Sequence, residues 1–421
     1  MATDTTAPLA LKAFEAMGGD VPWDPDKVVL VIDHASPAPN ERIANLHAMM
    51  RAFAARTGCR FYDVGCGIGH HVMLDEGLVR PGDLVLGADS HTTTYGALGA
   101  FSTGVGSTDL AAVMLTGKTW LRVPETTKVT VTGRLQPGVA PKDVVLHLAG
   151  RLGIAGATYR ALEWHGEPVR RLGLAGRIPL ANMAVEMGAK AGIVPPAGLA
   201  DAHGLADAHG LADAHGLADA HGLADAHGLA GGTRTGVLQH ALPPNAAMLE
   251  PDPDARYVEE VEIDLTDLAP QVAFPHSPDA VRDLGEAAGT PIHYAFLGSC
   301  TNARTEDLRA AAEVVRGQRV APGVRFVIAP ASRKVLEEIA ADGTLATLSQ
   351  AGATFITPGC GPCVGTHQGV PADAETVISA TNRNFQGRMG NPRAQIYLAS
   401  PETVAASAIA GGIVSASEVT L

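Results

Sequence analysis

Three cysteines of the chain have the setting of metal ligands. Cys360 and Cys363 form a C-x-x-C pair in the sequence PGCGPC, and Cys300 lies far upstream in GSCTN. Zinc sites usually have four protein ligands, and 4Fe-4S electron carriers use four cysteines. Three thiolates would leave one iron of a cluster open to act as a Lewis acid on a hydroxyl or carboxylate. By spacing alone, a buried structural Cys300 beside an unrelated C-x-x-C pair is an equal alternative.

The other two cysteines leave a second function open. Cys66, in VGCGIGH, could be a fourth ligand, and a fully ligated cluster would favour electron transfer over catalysis at iron. Cys59 lies just before a predicted strand, and we expect it to pack in the core or at the surface. Five cysteines form an odd and sparse set for 421 residues, which argues against a disulfide framework.

Imidazole and carboxylate side chains recur where short apolar runs end. Asp33 and His34 follow the run VVLVI, and Asp89 follows LVLGA. A carboxylate beside an imidazole fixes the tautomer and raises the pKa of the ring, which can then donate a proton to a departing hydroxyl. Taken singly, a histidine is more often a structural residue, and Glu186 could be an ordinary acid on a helix. The candidate acids and bases are Asp33, His34, His70, Asp89, His91 and Glu186.

Two arginines form a candidate anion site. Arg383 and Arg388 are five positions apart in TNRNFQGR, after the strand-like VISA. This spacing lets two guanidiniums converge on one ligand, and a bidentate arginine suits a carboxylate. A solvated pair at the surface is the alternative.

The elements expected to position these residues are alternating strands and helices. Short β-branched runs alternate with Ala- and Leu-rich stretches, which is typical of βαβ units around parallel sheets, and nearly every candidate residue lies where such a run ends. The G-x-G of GALGAFSTGVGSTD is discarded as a nucleotide signal, because we expect no strand before it in a dinucleotide-binding arrangement. The strand-like runs are KVVLVIDH, DLVLGADS, IHYAFLGSC, VRFVIAP, ATFITPGC and ETVISATN.

Length and composition limit the class of protein. A chain of 421 residues, 46% of them apolar, can bury about two or three cores. No run of about eighteen apolar residues occurs, and the first residues do not resemble a signal peptide, so we expect a soluble cytoplasmic protein without a membrane partner. The formal net charge of −13 opposes binding to a phosphate backbone, so nucleic acid is not an expected partner.

Residues 198–227 are five tandem copies of GLADAH. This period does not place the repeated histidines on one helical stripe, although an extended chain would put them on one face. We interpret the repeat as a low-complexity linker between domains. Metal binding by the histidines is the alternative.

Several motifs occur together and in order: DH, GADSHT, NMAVEMGAKAG, GSCTN, GCGPC and TNRNFQGR. As a set they strongly resemble the aconitase superfamily, and most of all the short, archaeal-type large subunits of 3-isopropylmalate dehydratase and homoaconitase. The resemblance runs from about residue 4 to the C-terminus and is interrupted mainly by the repeat. It implies a cytoplasmic hydro-lyase of leucine biosynthesis, which removes water from a 2-hydroxy diacid and adds it back at the neighbouring carbon.

The resemblance also implies a fold. The expected class is α/β, with three α/β/α domains of the aconitase large-subunit type and without the swivelling fourth domain of single-chain members. We expect domain 1 over residues 1–122 and domain 2, which includes the repeat, over residues 123–285. Domain 3, which carries the cluster cysteines, is expected over residues 286–421.

Matched motif by motif, the resemblance implies a role for each candidate residue. Asp33 and His34 would protonate the leaving hydroxyl. A 4Fe-4S cluster, whose fourth iron would hold substrate and water, would be bound by Cys300, Cys360 and Cys363. The hydrogen-bonded pairs around the bound water would be His70 with Asp89 and His91 with Glu186. The substrate-contacting residues would be Ser90, Asn182, Asn382, Arg383 and Arg388.

The match departs from the family pattern in several places. Single-chain members carry the serine base and a further substrate arginine on the swivelling domain, so we expect both on a separate small subunit, in a heterodimer or heterotetramer. Members usually have Cys-His-Gln where this chain has Gly69, His70 and His71, a change that we expect to be tolerated. They also carry further residues before the motif that opens this chain. Either the start of the chain is misassigned or its N-terminus is trimmed, and in the second case we expect a strand and a helix to be missing.

Other functions stay open at the level of sequence. Homoaconitase, or another large subunit that acts on a 2-hydroxy diacid, is the nearest alternative. An iron-sulfur electron carrier would need Cys66 as a ligand, and an iron-sensing RNA binder is opposed by the charge of −13. The short N-terminus and the repeat also leave an inactive paralogue open.

Overall fold

The computed structural model describes residues 1–199 and 249–419, which form parallel and mixed sheets flanked by helices. The predicted α/β class is confirmed, and every strand-like run identified in the sequence contains a strand. From residue 200 onward the GLADAH repeat lies outside the described residues, so its interpretation as a linker stays a prediction. No helix within residues 1–199 and 249–419 has the length and apolar content that crossing a membrane requires.

The N-terminal region alternates strands and helices. These are β1 (Ala2–Thr3), α1 (Ala7–Ala16), β2 (Val29–Val31), α2 (Glu41–Thr57), β3 (Arg60–Tyr62), α3 (Gly69–Asp75), β4 (Leu84–Gly87), β5 (Phe101–Gly104) and α4 (Ser107–Thr116), with 3-10 helices over Pro25–Lys27 and Ser90–Leu98. Strands β1, β2 and β3 pair in parallel, as do β4 and β5. Met1 joins the two groups, because its amino group donates to Leu86 O and its carbonyl accepts from Ala88 N.

The G-x-G segment does follow a strand, which corrects the expectation from sequence. Gly104 ends β5, and Gly106 directly precedes α4. The strand was not recognised because its sequence, FSTG, contains no apolar run. A Cβ atom on Gly104 would lie 2.7 Å from Asp89 O, so glycine here allows the segment to pack closely against the loop that carries Asp89.

The middle region forms a parallel sheet in the order β8, β7, β6, β9, whose bounds follow. The elements are β6 (Thr126–Thr132), α5 (Pro141–Leu152), β7 (Ala161–His165), α6 (Glu167–Arg170), α7 (Leu174–Asn182), a 3-10 helix over Met183–Met187, β8 (Ala191–Ile193) and β9 (Glu259–Asp264). Strand β9 lies at an edge, and it buries Val261 and Ile263 while the alternating residues Glu260, Glu262 and Asp264 are exposed.

The C-terminal region forms a seven-stranded sheet. Its elements are β10 (Gln271–Ala273), β11 (Val281–Asp283), a 3-10 helix over Leu284–Glu286, β12 (Tyr294–Leu297), α8 (Thr305–Val315), β13 (Arg325–Ile328), α9 (Arg333–Ala341), α10 (Thr344–Ala351), β14 (Thr354–Phe355), a 3-10 helix over Gly361–Val364, β15 (Thr376–Ser379), β16 (Gln395–Leu398), α11 (Pro401–Ala410) and α12 (Ala416–Val419). The strand order is β11, β10, β16, β15, β12, β13, β14, and β10 is antiparallel to both neighbours. The first strand of this sheet begins at Gln271, before the predicted boundary between domains 2 and 3 at residue 285. The domain bounds stay predictions.

Shared cores cover the sheets and join two of them. All residues of β12 are buried, as expected for a parallel strand that is covered on both faces. One core joins the middle and C-terminal sheets and includes Trp164, Phe296 and Cys363. Cys59 lies in the core of the N-terminal region, as expected. Residues that follow β2, β4, β12, β14 and β15 line one cavity, so the carboxyl ends of these strands meet at one place, which is where ligands bind in open α/β sheets.

Candidate active site

One cavity of about 70 Å³ lies where the loops after these strands meet. Most of the residues predicted from sequence line it, namely Asp33, His34, His70, Asp89, Ser90, His91, Cys300, Cys360, Cys363, Arg383 and Arg388. The remaining predicted residues lie directly behind the lining and bond to it, and these are Asn182, Glu186 and Asn382. A larger groove of about 560 Å³ lies beside Met1 and Trp23, but no cysteine or histidine of the described residues lines it.

Asp33 and His34 form a buried pair at the end of β2. His34 Nδ1 lies 2.7 Å from Asp33 Oδ1, and Asp33 Oδ2 accepts a hydrogen bond from Gly69 N over 2.7 Å. Burial alone would lower the pKa of His34, but the neighbouring Cys360 and Asp33 side chains raise it well above its ordinary value. The ring therefore favours its protonated form, which a proton donor to a leaving hydroxyl requires.

A second carboxylate, Asp4, holds the main chain of this pair. Its Oδ1 accepts from the N–H groups of Asp33 and His34 over 3.2 and 2.9 Å, and its Oδ2 accepts from Ala35 N over 2.9 Å. Burial raises the pKa of Asp4, but a hydrogen bond from His47 and these contacts lower it well below its ordinary value. Sequence reasoning missed Asp4, because no local spacing connects it with a strand end 29 positions away.

His70 and Asp89 form the first of the two predicted pairs. His70 Nε2 lies 3.2 Å from Asp89 Oδ1, and its Nδ1 lies 3.3 Å from Tyr95 OH. Asp89 Oδ1 also accepts from His91 N over 2.7 Å, and His34 Nε2 lies 3.7 Å from Asp89 Oδ2. Burial raises the pKa of Asp89, but the hydrogen bonds from His70 and His91 outweigh burial and hold it well below its ordinary value. Asp89 is thus a charged carboxylate shared by several rings.

His91 and Glu186 form the second predicted pair. His91 Nε2 lies 2.8 Å from Glu186 Oε1, and Arg383 Nε donates to both carboxylate oxygens over 2.8 and 2.9 Å. Burial raises the pKa of Glu186, but His91 and Arg383 lower it overall. Arg383 Nη1 also donates to Ser90 Oγ over 3.0 Å. Glu186 therefore fixes the guanidinium of Arg383 while that group lines the cavity.

The thiols that line the cavity are surrounded by hydrogen-bond donors. Asn182 Nδ2 and Asn382 Nδ2 each donate to Cys300 Sγ over 3.2 Å, and Arg388 Nη2 lies 3.6 Å from Cys363 Sγ. Donors aimed at sulfur stabilise a thiolate ligand. Burial raises the pKa of Cys300 to about 12, so a metal would have to displace its proton on binding.

Two buried polar atoms close to the thiols lack a hydrogen-bond partner among the described residues. Asn382 Oδ1 and Arg388 Nε are buried and make no hydrogen bond to any residue that the structure describes. Because buried polar groups are nearly always paired, these atoms indicate a further group that the protein alone does not supply. Together with three thiols, they fit an iron-sulfur cluster and an anionic ligand.

Backbone geometry brings the thiols against the acid pair. Cys360 N donates to Asp33 O over 2.9 Å, and a Cβ atom on Gly359 would lie 2.8 Å from that oxygen. Ser299, just before Cys300, is a buried non-glycine residue at φ 85°, a conformation that costs about 1–3 kcal/mol and clusters at functional sites. The ligand atoms of Asp33, His34 and Cys360 all lie within 4.8 Å of one another.

The structure also gives positions for His71, where the chain departs from the family pattern, and for Cys66, the possible fourth ligand. His71 Nε2 lies 3.1 Å from Cys300 O, and its Nδ1 lies 3.4 Å from Arg304 Nη1. The amide of a glutamine offers the same combination of donor and acceptor. Cys66 is half-buried and is not among the described residues that line the cavity.

Residues 1–200 and 237–411 match the Aconitase family (aconitate hydratase). The chain belongs to the aconitase family. The membership predicted from sequence motifs is therefore confirmed, and the aconitase family is known for iron-sulfur clusters.

Individual relatives of the aconitase family are similar over nearly the whole chain. The 3-isopropylmalate dehydratase large subunit 1 of Methanopyrus kandleri is 47% identical over 98% of this chain and 91% of its own length. The homoaconitase large subunit of Thermus thermophilus is 46% identical over 99% and 91%. The 3-isopropylmalate dehydratase large subunit of Moorella thermoacetica is 42% identical over 100% and 92%.

Proposed function

We propose that the chain is the large subunit of a 3-isopropylmalate dehydratase that binds a 4Fe-4S cluster in the cytoplasm. One observation carries the proposal: three buried thiols and three histidines, each bonded to a carboxylate, face the same cavity. Thiols alone would suit electron transfer, whereas thiols beside proton donors and arginines suit the removal and addition of water on an acid anion. The relatives with this name support the choice of substrate.

The proposed reaction removes water, taking a hydroxyl group from one carbon of the substrate and a proton from the neighbouring carbon. We assign cluster binding to Cys300, Cys360 and Cys363, and a bound cluster would supply an open iron that polarises the hydroxyl and carboxylate groups of the substrate. Asp33 orients His34, and that ring donates its proton to the leaving hydroxyl. We assign a second role to the pairs His70 with Asp89 and His91 with Glu186, which hold and transfer the protons of the departing and returning water.

The arginines stabilise the charge that builds up during the reaction. Removing a proton next to a carboxylate places negative charge on that carboxylate in the transition state, and guanidiniums in a buried site can stabilise it. We assign this role to Arg383 and Arg388, with Ser90 beside them. Asn182 and Asn382 donate to Cys300 Sγ behind the lining, and their contact with substrate stays a prediction.

We assign the base that removes this proton to a separate small subunit with a swivelling domain. The names of the relatives, which are large subunits, support such a partner. The proposed organisation of this chain keeps domains over residues 1–122, 123–285 and 286–421. Substrate choice would then lie largely in the partner, and homoaconitase is the second candidate, because a relative of that name is 46% identical.

The test is anaerobic reconstitution of the full chain with iron and sulfide. Absorbance of the alkene product is followed from 3-isopropylmalate and from homocitrate, with and without the small subunit encoded nearby. We expect turnover of 3-isopropylmalate only with both subunits. Turnover of homocitrate alone would favour the second candidate, and a bound cluster without turnover of either would contradict both.

A further inference from the structure

Lys142 is a buried cation that the proposed reaction does not use. It lies in the first turn of α5, and its side chain is fully buried. Its ammonium donates to Ala380 O and Thr381 O over 2.8 Å each and to Asn302 Oδ1 over 3.2 Å. All three of these acceptors are neutral oxygens, and none of them is a carboxylate.

The acceptors of Lys142 belong to the two loops that carry the thiol side of the site. Asn302 follows Cys300 by two positions in the loop after β12. Ala380 and Thr381 directly precede Asn382 in the loop after β15. One side chain from a helix of the middle region therefore ties together two loops of the C-terminal sheet.

The fold alone does not require a charge at this position. Lys142 lies on the inward stripe of α5, in helical register with Val145, Leu146 and Ala149, which are all buried. Burying an ammonium is costly unless polar groups or opposite charges compensate it, so an apolar residue would serve a purely structural core more easily. Burial lowers the pKa of Lys142 to about 7, and the charges of Asp307 and Asp143, followed by those of Cys300 and Cys363, oppose this.

We propose that Lys142 is a positioning residue that fixes the Cys300 loop and the Asn382 loop in one geometry, and that its charge stabilises the anionic cluster between them. The second half rests on the proposed function, because it requires a cluster. The first half does not, since the three hydrogen bonds are made by the protein alone.

The first half is tested on the cluster-free full chain. Lys142→Met keeps the length of the side chain but removes donors and charge, whereas Lys142→Gln keeps donors without the charge. We expect hydrogen exchange in residues 299–302 and 380–384 to accelerate by roughly tenfold in Lys142→Met and less in Lys142→Gln, because the loops open locally. Lys128→Met, at a more exposed lysine beside Glu260, is the matched control and should leave this exchange unchanged. Unchanged exchange in Lys142→Met would overturn this half.

The second half is tested after reconstitution by measuring the reduction potential of the cluster. Removing a buried positive charge disfavours the reduced, more negative cluster, so both variants should show a more negative potential than the wild type and Lys128→Met. In the presence of the small subunit, Lys142→Met should lower kcat by about a hundredfold, as expected for misplaced groups. If Lys142→Met does not fold, Lys142→Gln decides, and an unchanged potential there would overturn the role of the charge. A wild-type chain that binds no cluster contradicts the proposed function instead.

Discussion

The cavity has two sides that differ in how complete they are. On the acid-base wall, formed by Asp33, His34, His70, Asp89, His91 and Glu186, each ring already bonds to a carboxylate. The thiol wall is formed by Cys300, Cys360, Cys363, Asn382 and Arg388. Burial raises the pKa of its Cys300 thiol to about 12, and Asn382 Oδ1 and Arg388 Nε have no hydrogen-bond partner among the described residues. The difference indicates that the proton-transfer groups are assembled by the protein, whereas the thiol wall is completed only by a bound group.

Loss of a thiol should have the largest effect. Cys363→Ser is expected to abolish cluster binding and activity, because a hydroxyl is a poor replacement for a thiolate ligand. Iron content and visible absorbance after anaerobic reconstitution measure the loss, and Cys59→Ser, in the core of the N-terminal region, is the matched control. Full iron content in Cys363→Ser would contradict the assigned ligand set.

The same measurement on Cys66→Ser separates catalysis from electron transfer. Because Cys66 does not line the cavity as described, we expect this variant to keep its cluster. Loss of the cluster would instead indicate a fourth ligand and favour an electron carrier.

Loss of the proton donor should affect kcat and leave the cluster in place. His34→Gln is expected to reduce kcat by roughly 10²–10⁴-fold, the usual contribution of general acid catalysis. Steady-state kinetics together with iron content measure this, and His47→Gln, behind Asp4, should have a smaller effect. A His34→Gln variant with normal kcat would rule out His34 as the proton donor. A variant that binds no iron would show that His34 supports the cluster instead.

Replacing the guanidinium of Arg388 should weaken substrate binding. Arg388→Lys keeps the charge but loses the planar fork that matches a carboxylate, so we expect kcat/KM to fall by about tenfold or more. Arg393→Lys, at an exposed ion pair with Asp373, is the control. An unchanged kcat/KM at full iron content would show that Arg388 does not bind the substrate.

Glu186→Gln tests the charged state of the acid-base wall. His91 and Arg383 hold the pKa of Glu186 below its ordinary value of 4.5, so folding favours the charged carboxylate. This contribution is complete above that ordinary pKa and is lost as the pH falls through the folded pKa. In the cluster-free chain, the variant should be less stable by about 1–3 kcal/mol at neutral pH. Thermal midpoints of wild type and variant should converge toward acid pH, and a constant difference would count against a charged Glu186.

The smallest effect is expected where the chain departs from the family pattern. His71→Gln should retain the cluster as long as the wild type does, because the amide can donate to Cys300 O and accept from Arg304. His71→Leu, of similar size but without polar atoms, should lose iron faster in air. Equal rates of iron loss in both variants would show that these hydrogen bonds do not matter.

The α/β class and the strand ends were predictable because the strands are local features of the sequence. Strands β2, β4, β12 and β15 each combine an apolar run with polar residues directly after it. Asp4 and Lys142 were not predicted, because their partners are distant in sequence, up to 239 positions away for Lys142. The inward helical register of Lys142 is the one signal that could have been used. The roles of the site residues stay predictions.

The hydrogen bond from Cys360 N to Asp33 O joins the main chain of the thiol wall directly to the main chain of the acid-base wall. The separation between a metal ligand and the proton-donating pair is therefore set by the length of the short loop between Phe355 and Cys360. Substitutions at the surface of this loop leave that length unchanged. Insertion of a single residue would shift the Cys360 thiol relative to the Asp33 and His34 pair. We therefore expect this loop to tolerate substitutions far better than insertions.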